Sequence, residues 1–147
     1  VPYFICPNCK DRSIDNDRRH GLTHQPVACM RCGFGFLFEL AEDYYPSPNA
    51  GLLACDRDGR ILAAGRGVLE LTGYREPELM GREIVSALGL ESEAEQHPVA
   101  LALEWGVRRP REELRLRTKA GLVKRVVADI FPAYDDDGGL LVALAPA

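Results

Sequence analysis

The chain reads as an α+β protein in two unequal parts, a short cysteine-rich segment followed by a larger unit of antiparallel strands and short helices. Three observations lead there. Four of the five cysteines, Cys6, Cys9, Cys29 and Cys32, precede residue 40, in a stretch with little helical periodicity. A run of chain breakers in "AEDYYPSPNAG" then brings Pro46, Pro48, Asn49 and Gly51 together. Beyond it, strand-like runs bounded by turn residues recur to the end. The division expected is 1–40 for the cysteine-rich unit, 41–50 for a linker and 51–147 for the larger domain.

Length and composition bound the possibilities. A chain of 147 residues, 46% hydrophobic and 27% charged, suits one core of about 100 residues plus a small annex. The formal charge is −4, and residues 1–40 hold five Lys/Arg against four Asp/Glu, which is not the basic footprint of a dedicated nucleic-acid binder. The opening "VPYFICPNCK" lacks a basic segment leading into a long apolar run, and no stretch reaches the ~18 apolar residues of a membrane span. A cytoplasmic protein is therefore expected. Its odd cysteine count and reducing surroundings argue against a disulfide framework.

In the larger unit, Leu52 to Asp56 and Arg60 to Ala63 form two strands around Asp58-Gly59, a strong hairpin signal. Val68, Leu69 and Leu71, then Pro77 with Glu78, Leu79 and Met80, indicate short helices. Ala94, Val99, Leu101, Ala102 and Trp105 indicate a longer one whose regular part starts near Pro98. Alternation in "EELRLRTK" and "VKRVVADIF", then "YDDDGG" turning into "LLVALA", gives a three-stranded antiparallel meander.

The four early cysteines are spaced C-x2-C-x19-C-x2-C. A thiolate pair two residues apart turns tightly around one ion, and two such knuckles supply tetrahedral sulfurs about 2.3 Å from zinc. Gly33 lets the backbone fold back toward sulfur, and "YFI" and "FGFLFEL" can form short flanking strands. The arrangement resembles a zinc ribbon over roughly residues 3–40. Structural Zn2+ is the leading reading; an iron centre or a redox dithiol are the alternatives. Four thiolates close the shell and leave no position for substrate. His20 and His24 then read as loop histidines. Lys10, Arg12, Arg18, Arg19 and Arg31 are interleaved with Asp11, Asp15 and Asp17, as in a solvated loop rather than a phosphate-binding face.

No nucleophile with a nearby base and no phosphate loop is evident, and Thr72 reads as a helix-end hydrogen-bonding residue. Catalysis is not expected. Asp56, Gly59 and Ile61 in the first hairpin, Leu71 to Tyr74 in "LTGY", and Glu78, Leu79, Gly81 and Arg82 together resemble a PAS domain, over about residues 47–145. The resemblance implies a five-stranded antiparallel sheet with helices on one face, used as a sensor or docking module and often dimeric. Gly65 stands where many relatives place Asn, removing a common polar anchor. "GREIVSALG" has no cysteine, so the flavin–thiol photocycle of light-sensing relatives is excluded, and no cysteine after the long helix could attach a coumarate-type chromophore. The ligand of the PAS domain, if it has one, is not named by these residues. His97 reads as a water-facing helix start rather than a haem ligand, Cys55 as an inert buried thiol and Trp105 as core.

On the first strand of the meander, Arg115 and Arg117 share a solvated face opposite Leu114 and Leu116. On the next, Val127 and Phe131 oppose Val126, Ala128 and Ile130, so apolar residues outside the core would make a partner or dimer surface. The function expected is that of a non-enzymatic sensory and regulatory protein in signal transduction, a homodimer through the sheet face that also docks a protein partner. The alternatives are a transcription-related adaptor whose ribbon contacts DNA or RNA polymerase, and a redox sensor acting through the zinc thiolates.

Overall fold

The computed structural model of the protein describes residues 3–13, 28–35, 37–133 and 138–147. Strands β1 (Tyr3–Ile5), β2 (Arg12–Ser13) and β3 (Phe38–Leu40) form a small antiparallel sheet in the order β2-β1-β3, with Ile5 opposite both Arg12 and Phe38. The remaining strands are β4 (Gly51–Cys55), β5 (Ile61–Ala64), β6 (Arg109–Arg117), β7 (Val123–Pro132) and β8 (Leu140–Pro146). They form a five-stranded antiparallel sheet in the order β5-β4-β8-β7-β6. Between β5 and β6 lie α1 (Val68–Thr72), α2 (Glu76–Leu79), α3 (Ile84–Leu88) and α4 (Pro98–Trp105). None of the described helices is long and apolar enough to cross a membrane.

Local chemistry places these elements. Asp56 Oδ1 accepts the backbone N–H of Asp58 and of Arg60, at 2.9 and 3.0 Å, which closes the β4–β5 turn. Thr72 Oγ1 donates to the Val68 carbonyl at 2.7 Å and accepts the Tyr74 N–H, ending α1 as the sequence predicts. Glu83 accepts from Val85 N and Ser86 N at the start of α3. His97 does more than face water: its Nδ1 accepts the Val99 N–H at 3.1 Å and its Nε2 meets the Leu90 carbonyl at 3.1 Å, so it caps α4 and ties it to the segment that follows α3. Trp105 is 68% exposed, contrary to the core position expected. Val99 and Ala102 form the buried face of α4, and Trp105 is the last residue before Gly106 ends the helix, past the turn that packs.

Alternation along the central strands separates two cores. Leu53, Cys55, Leu140, Val142 and Leu144 face the helices and pack with Leu79, Ile84, Leu88, Leu116 and Ile130. Leu52, Ala54, Leu141 and Ala143 face the other way, and they are covered too. Ile5, Phe38 and Leu40 of the small sheet pack on them together with Ala63 and Phe131. All five residues of β4 are consequently buried. Tyr44, from the segment joining the two sheets, packs on Phe131 at a centroid distance of 4.5 Å with the rings tilted by 52°, and its hydroxyl donates to Asp129 Oδ2 at 2.5 Å. Burial, and then the Asp129 carboxylate, hold the Tyr44 hydroxyl well above its ordinary pKa.

Replacing Tyr44 by Phe removes that bond and should lower the unfolding free energy by about 1–2 kcal/mol at pH 7. Because the folded-state pKa is raised, the contribution is complete below about pH 10 and fades as pH climbs toward the folded value. The gap between wild type and Tyr44→Phe should therefore narrow in urea titrations run at pH 11.

Candidate metal centre

The two cysteine pairs sit in turns built alike. In the first, Cys6 N donates to the Asp11 carbonyl and Lys10 N to the Cys6 carbonyl, both at 2.9 Å. In the second, Cys29 N donates to the Phe34 carbonyl at 2.7 Å and Gly33 N to the Cys29 carbonyl at 2.9 Å. The residue after each second cysteine takes the left-handed conformation, Gly33 at φ 79° and Lys10 at φ 67°. Glycine adopts that geometry freely, whereas a lysine there is strained by about 1–2 kcal/mol.

Facing each other, the turns bring Cys6, Cys9, Cys29 and Cys32 together with all four sulfurs within 4.8 Å of one another. Cys6 Sγ lies 3.6 Å from Cys32 Sγ, and Cys9 Sγ 3.7 Å from Cys29 Sγ. A tetrahedron with a metal–sulfur distance of about 2.3 Å has an edge of about 3.8 Å. The separations fit that edge and are far from the ~2.0 Å of a disulfide. The donor set therefore fits one tetrahedral, thiophilic ion.

The environment of the sulfurs is unequal. Burial pushes the Cys6 thiol up to about 12, and burial likewise raises Cys9. Cys32 is drawn down to about 6, chiefly by the Phe34 backbone N–H, with help from the Asn8 amide, whose Nδ2 donates to Cys32 Sγ at 3.7 Å. A bound cation's charge would offset the cost of ionising the buried thiols. Cys55, by contrast, is buried in the helix-side core with its thiol pushed up to about 12, an inert position.

The first turn is keyed into the larger sheet at a place the sequence did not flag. A Cβ built on Gly65 would lie 1.8 Å from the Pro7 carbonyl oxygen. The residue that reads as a lost polar anchor is there because Pro7 leaves no room for a side chain. Beside it, Arg66 N donates to Asn8 Oδ1 at 3.1 Å, so Asn8 bonds the Cys32 sulfur with one end and the start of α1 with the other. The one trace of this in the sequence is the Asn inside "CPNC", a side chain able to donate and accept at once.

The basic residues of the cysteine-rich unit are engaged where they are described. Arg12 Nη1 donates to both Asp43 carboxylate oxygens, at 2.9 and 2.7 Å, with the guanidinium 3.6 Å over the Tyr45 ring, and Arg31 pairs with Asp11 at 3.9 Å. His20, His24, Arg18 and Arg19 lie outside the described residues. The sequence-predicted partner face is distributed differently. Arg115 is exposed and pairs with Glu91 and Glu93, Arg117 is exposed, and Val127 is half-buried. Phe131, 9% exposed, lies under Tyr44 and belongs to the core shared with Ile5, Phe38 and Leu40. It presents no surface to a second molecule in this arrangement.

With strand order and helix placement in view, the larger domain has the PAS fold. Its structural neighbours include a PAS domain from Colwellia psychrerythraea at 19% identity, covering 67% of this chain and 86% of that one with a TM-score of 0.56. The light-state dimer of the fungal blue-light photoreceptor Vivid is similar at 18% identity, 71% and 82% coverage and a TM-score of 0.58. The PAS domain of the fruit-fly ELK potassium channel matches at 18% identity, 67% and 86% coverage and a TM-score of 0.57. Likeness at these identities establishes the fold. No protein-family model and no curated protein matches the chain.

Gly65→Ala should lower the unfolding free energy by about 1–3 kcal/mol, since the backbone of Pro7 must yield. Urea unfolding at pH 7 reads the loss. An unchanged midpoint would mean the turn does not rest on β5 in solution.

Proposed function

We propose that the protein is a non-enzymatic sensory and regulatory component of signal transduction, in which a zinc-stabilised ribbon (1–40) is joined through a linker (41–50) to a PAS module (51–147). The observation that carries this reading is the docking of Ile5, Phe38 and Leu40 on the outer face of the PAS sheet. A sheet face that could associate with another molecule is instead covered by a unit whose shape depends on four thiols. Whatever changes the state of those thiols then changes how much of the face is open.

Cys6, Cys9, Cys29 and Cys32 would hold the zinc. When bound, the ion supplies folding free energy to a unit too small to stand on its own core. The closed thiolate shell gives substrate no coordination position, which supports a structural centre over a catalytic one. Reduced thiols also favour a cytoplasmic setting. The part of the outer face left open, around Arg115, Arg117 and Val127, is the surface assigned to a protein partner or to a second copy. Signal can pass only if the partner or ligand prefers one arrangement of the cover over the other.

Metal analysis of freshly purified protein should find about one zinc per chain. After chelation, hydrogen exchange should rise at Ile5 and Phe38–Leu40, whose amides leave the small sheet, while the central strands β4 and β8 stay protected by their ladders. Metal-free protein with full protection at Ile5 and Phe38–Leu40 would refute the coupling.

Mild peroxide supplies a separate check of the redox alternative. Zinc release with the same exchange pattern as chelation would favour a redox-responsive cover, and retained zinc would leave a purely structural ion.

A further inference from the structure

A cleft of about 600 Å³ opens where the first cysteine turn meets the larger domain, between that turn, residues 48–49, α1 and the ends of β7 and β8. Its size suits a small molecule. Its charge runs against that of the chain: Lys10, Arg66 and Lys124 line it with a single carboxylate, Glu70, in a protein of net charge −4. Leu71 and two prolines give it an apolar wall.

The cations are arranged rather than scattered. Lys10 Nζ donates to the Pro48 carbonyl and Lys124 Nζ to the Leu71 carbonyl, each at 3.1 Å. An ammonium has three donors, so each retains two for a guest. The Arg66 backbone is pinned by Asn8, while its exposed guanidinium has no partner among the described residues. That planar fork matches a carboxylate or phosphate. Lys10 also occupies a left-handed position that the matching turn gives to Gly33. A cation thus stands at the cleft in a backbone position where glycine would be unstrained.

We propose that this cleft binds a small organic anion carrying a phosphate monoester or paired carboxylates, held by Arg66 and the ammonium groups of Lys10 and Lys124. Asn8, which donates to Cys32 Sγ, and Cys9 line the same cleft, so the guest sits directly against the first cysteine turn. The site goes beyond the regulatory reading above and requires only that the first turn be folded.

The test uses the zinc-loaded full chain, labelled with 15N and titrated at low ionic strength with glycerol 3-phosphate, with succinate and with neutral glycerol. Saturable shifts at Asn8, Lys10, Arg66, Glu70 and Lys124 are expected with at least one anion and none with glycerol; the stronger anion identifies the head group. Arg66→Gln should weaken binding about tenfold by removing a charge-assisted contact. Glu70→Gln should tighten it about threefold by removing the opposing charge. Diffuse, non-saturating shifts with both anions, or unchanged affinity in both variants, would overturn the site while leaving the cysteine centre untouched. A chain that retains no zinc would count against the centre, and anion shifts in that sample would still support the cleft.

Discussion

The arrangement depends on one packing constraint: the central strands β4 and β8 are buried on both faces. On the helix side this follows from the fold itself. On the other side it requires the small sheet, because Leu52, Ala54, Leu141 and Ala143 would otherwise form a continuous apolar surface in water. The dependence runs both ways. Three strands of two or three residues cannot bury a core of their own, so the cysteine-rich unit takes its shape from the sulfur cluster and its burial from the sheet. Tyr44 and Phe131 close the seam at one end, and Gly65 against Pro7 closes it near the first cysteine turn.

Much of this was legible in the residues. Cysteine spacing announces the sulfur cluster because two-residue spacing constrains the backbone locally, and the Asp56 turn and the meander are local as well. What depends on contacts distant in sequence was not legible. Phe131 alternates as an outward residue should, and nothing nearby tells that Tyr44 and Phe38 will cover it. Trp105 has helical spacing, yet its fate is decided by where α4 stops. His97 is polar beside an acidic run, and its capping role needs Leu90 in position. One signal did carry the missing information: "LLAC" and "LLVALA" are apolar at consecutive positions. A strand with one wet face alternates, and a strand covered on both faces does not.

Charge tells a parallel story. Arginines that look like a scattered basic patch in the linear chain are turned inward to neighbours: Arg12 joins the first sheet to Asp43 and Tyr45, and Arg31 lies over the opposite turn at Asp11. Arg108 likewise reaches Glu42 at 2.5 Å across the seam. Exposed pairs of this kind add little stability individually. Arg12 and Arg108 tie the connecting segment to the small sheet and to the start of β6, and Arg31 ties the two cysteine turns to each other. The described arginines of the cysteine-rich unit are thereby committed to internal contacts.

The pairing of β4 with β8 has a consequence for how the protein is made. The cysteines of the first turn leave the ribosome well before Leu141 and Ala143, part of the platform on which Ile5 and Phe38 rest. The sulfur cluster can therefore close early, but it has nowhere to dock until β8 has inserted between β4 and β7. During that interval the cysteine-rich unit lacks its apolar seat, which residues made later complete for residues made earlier.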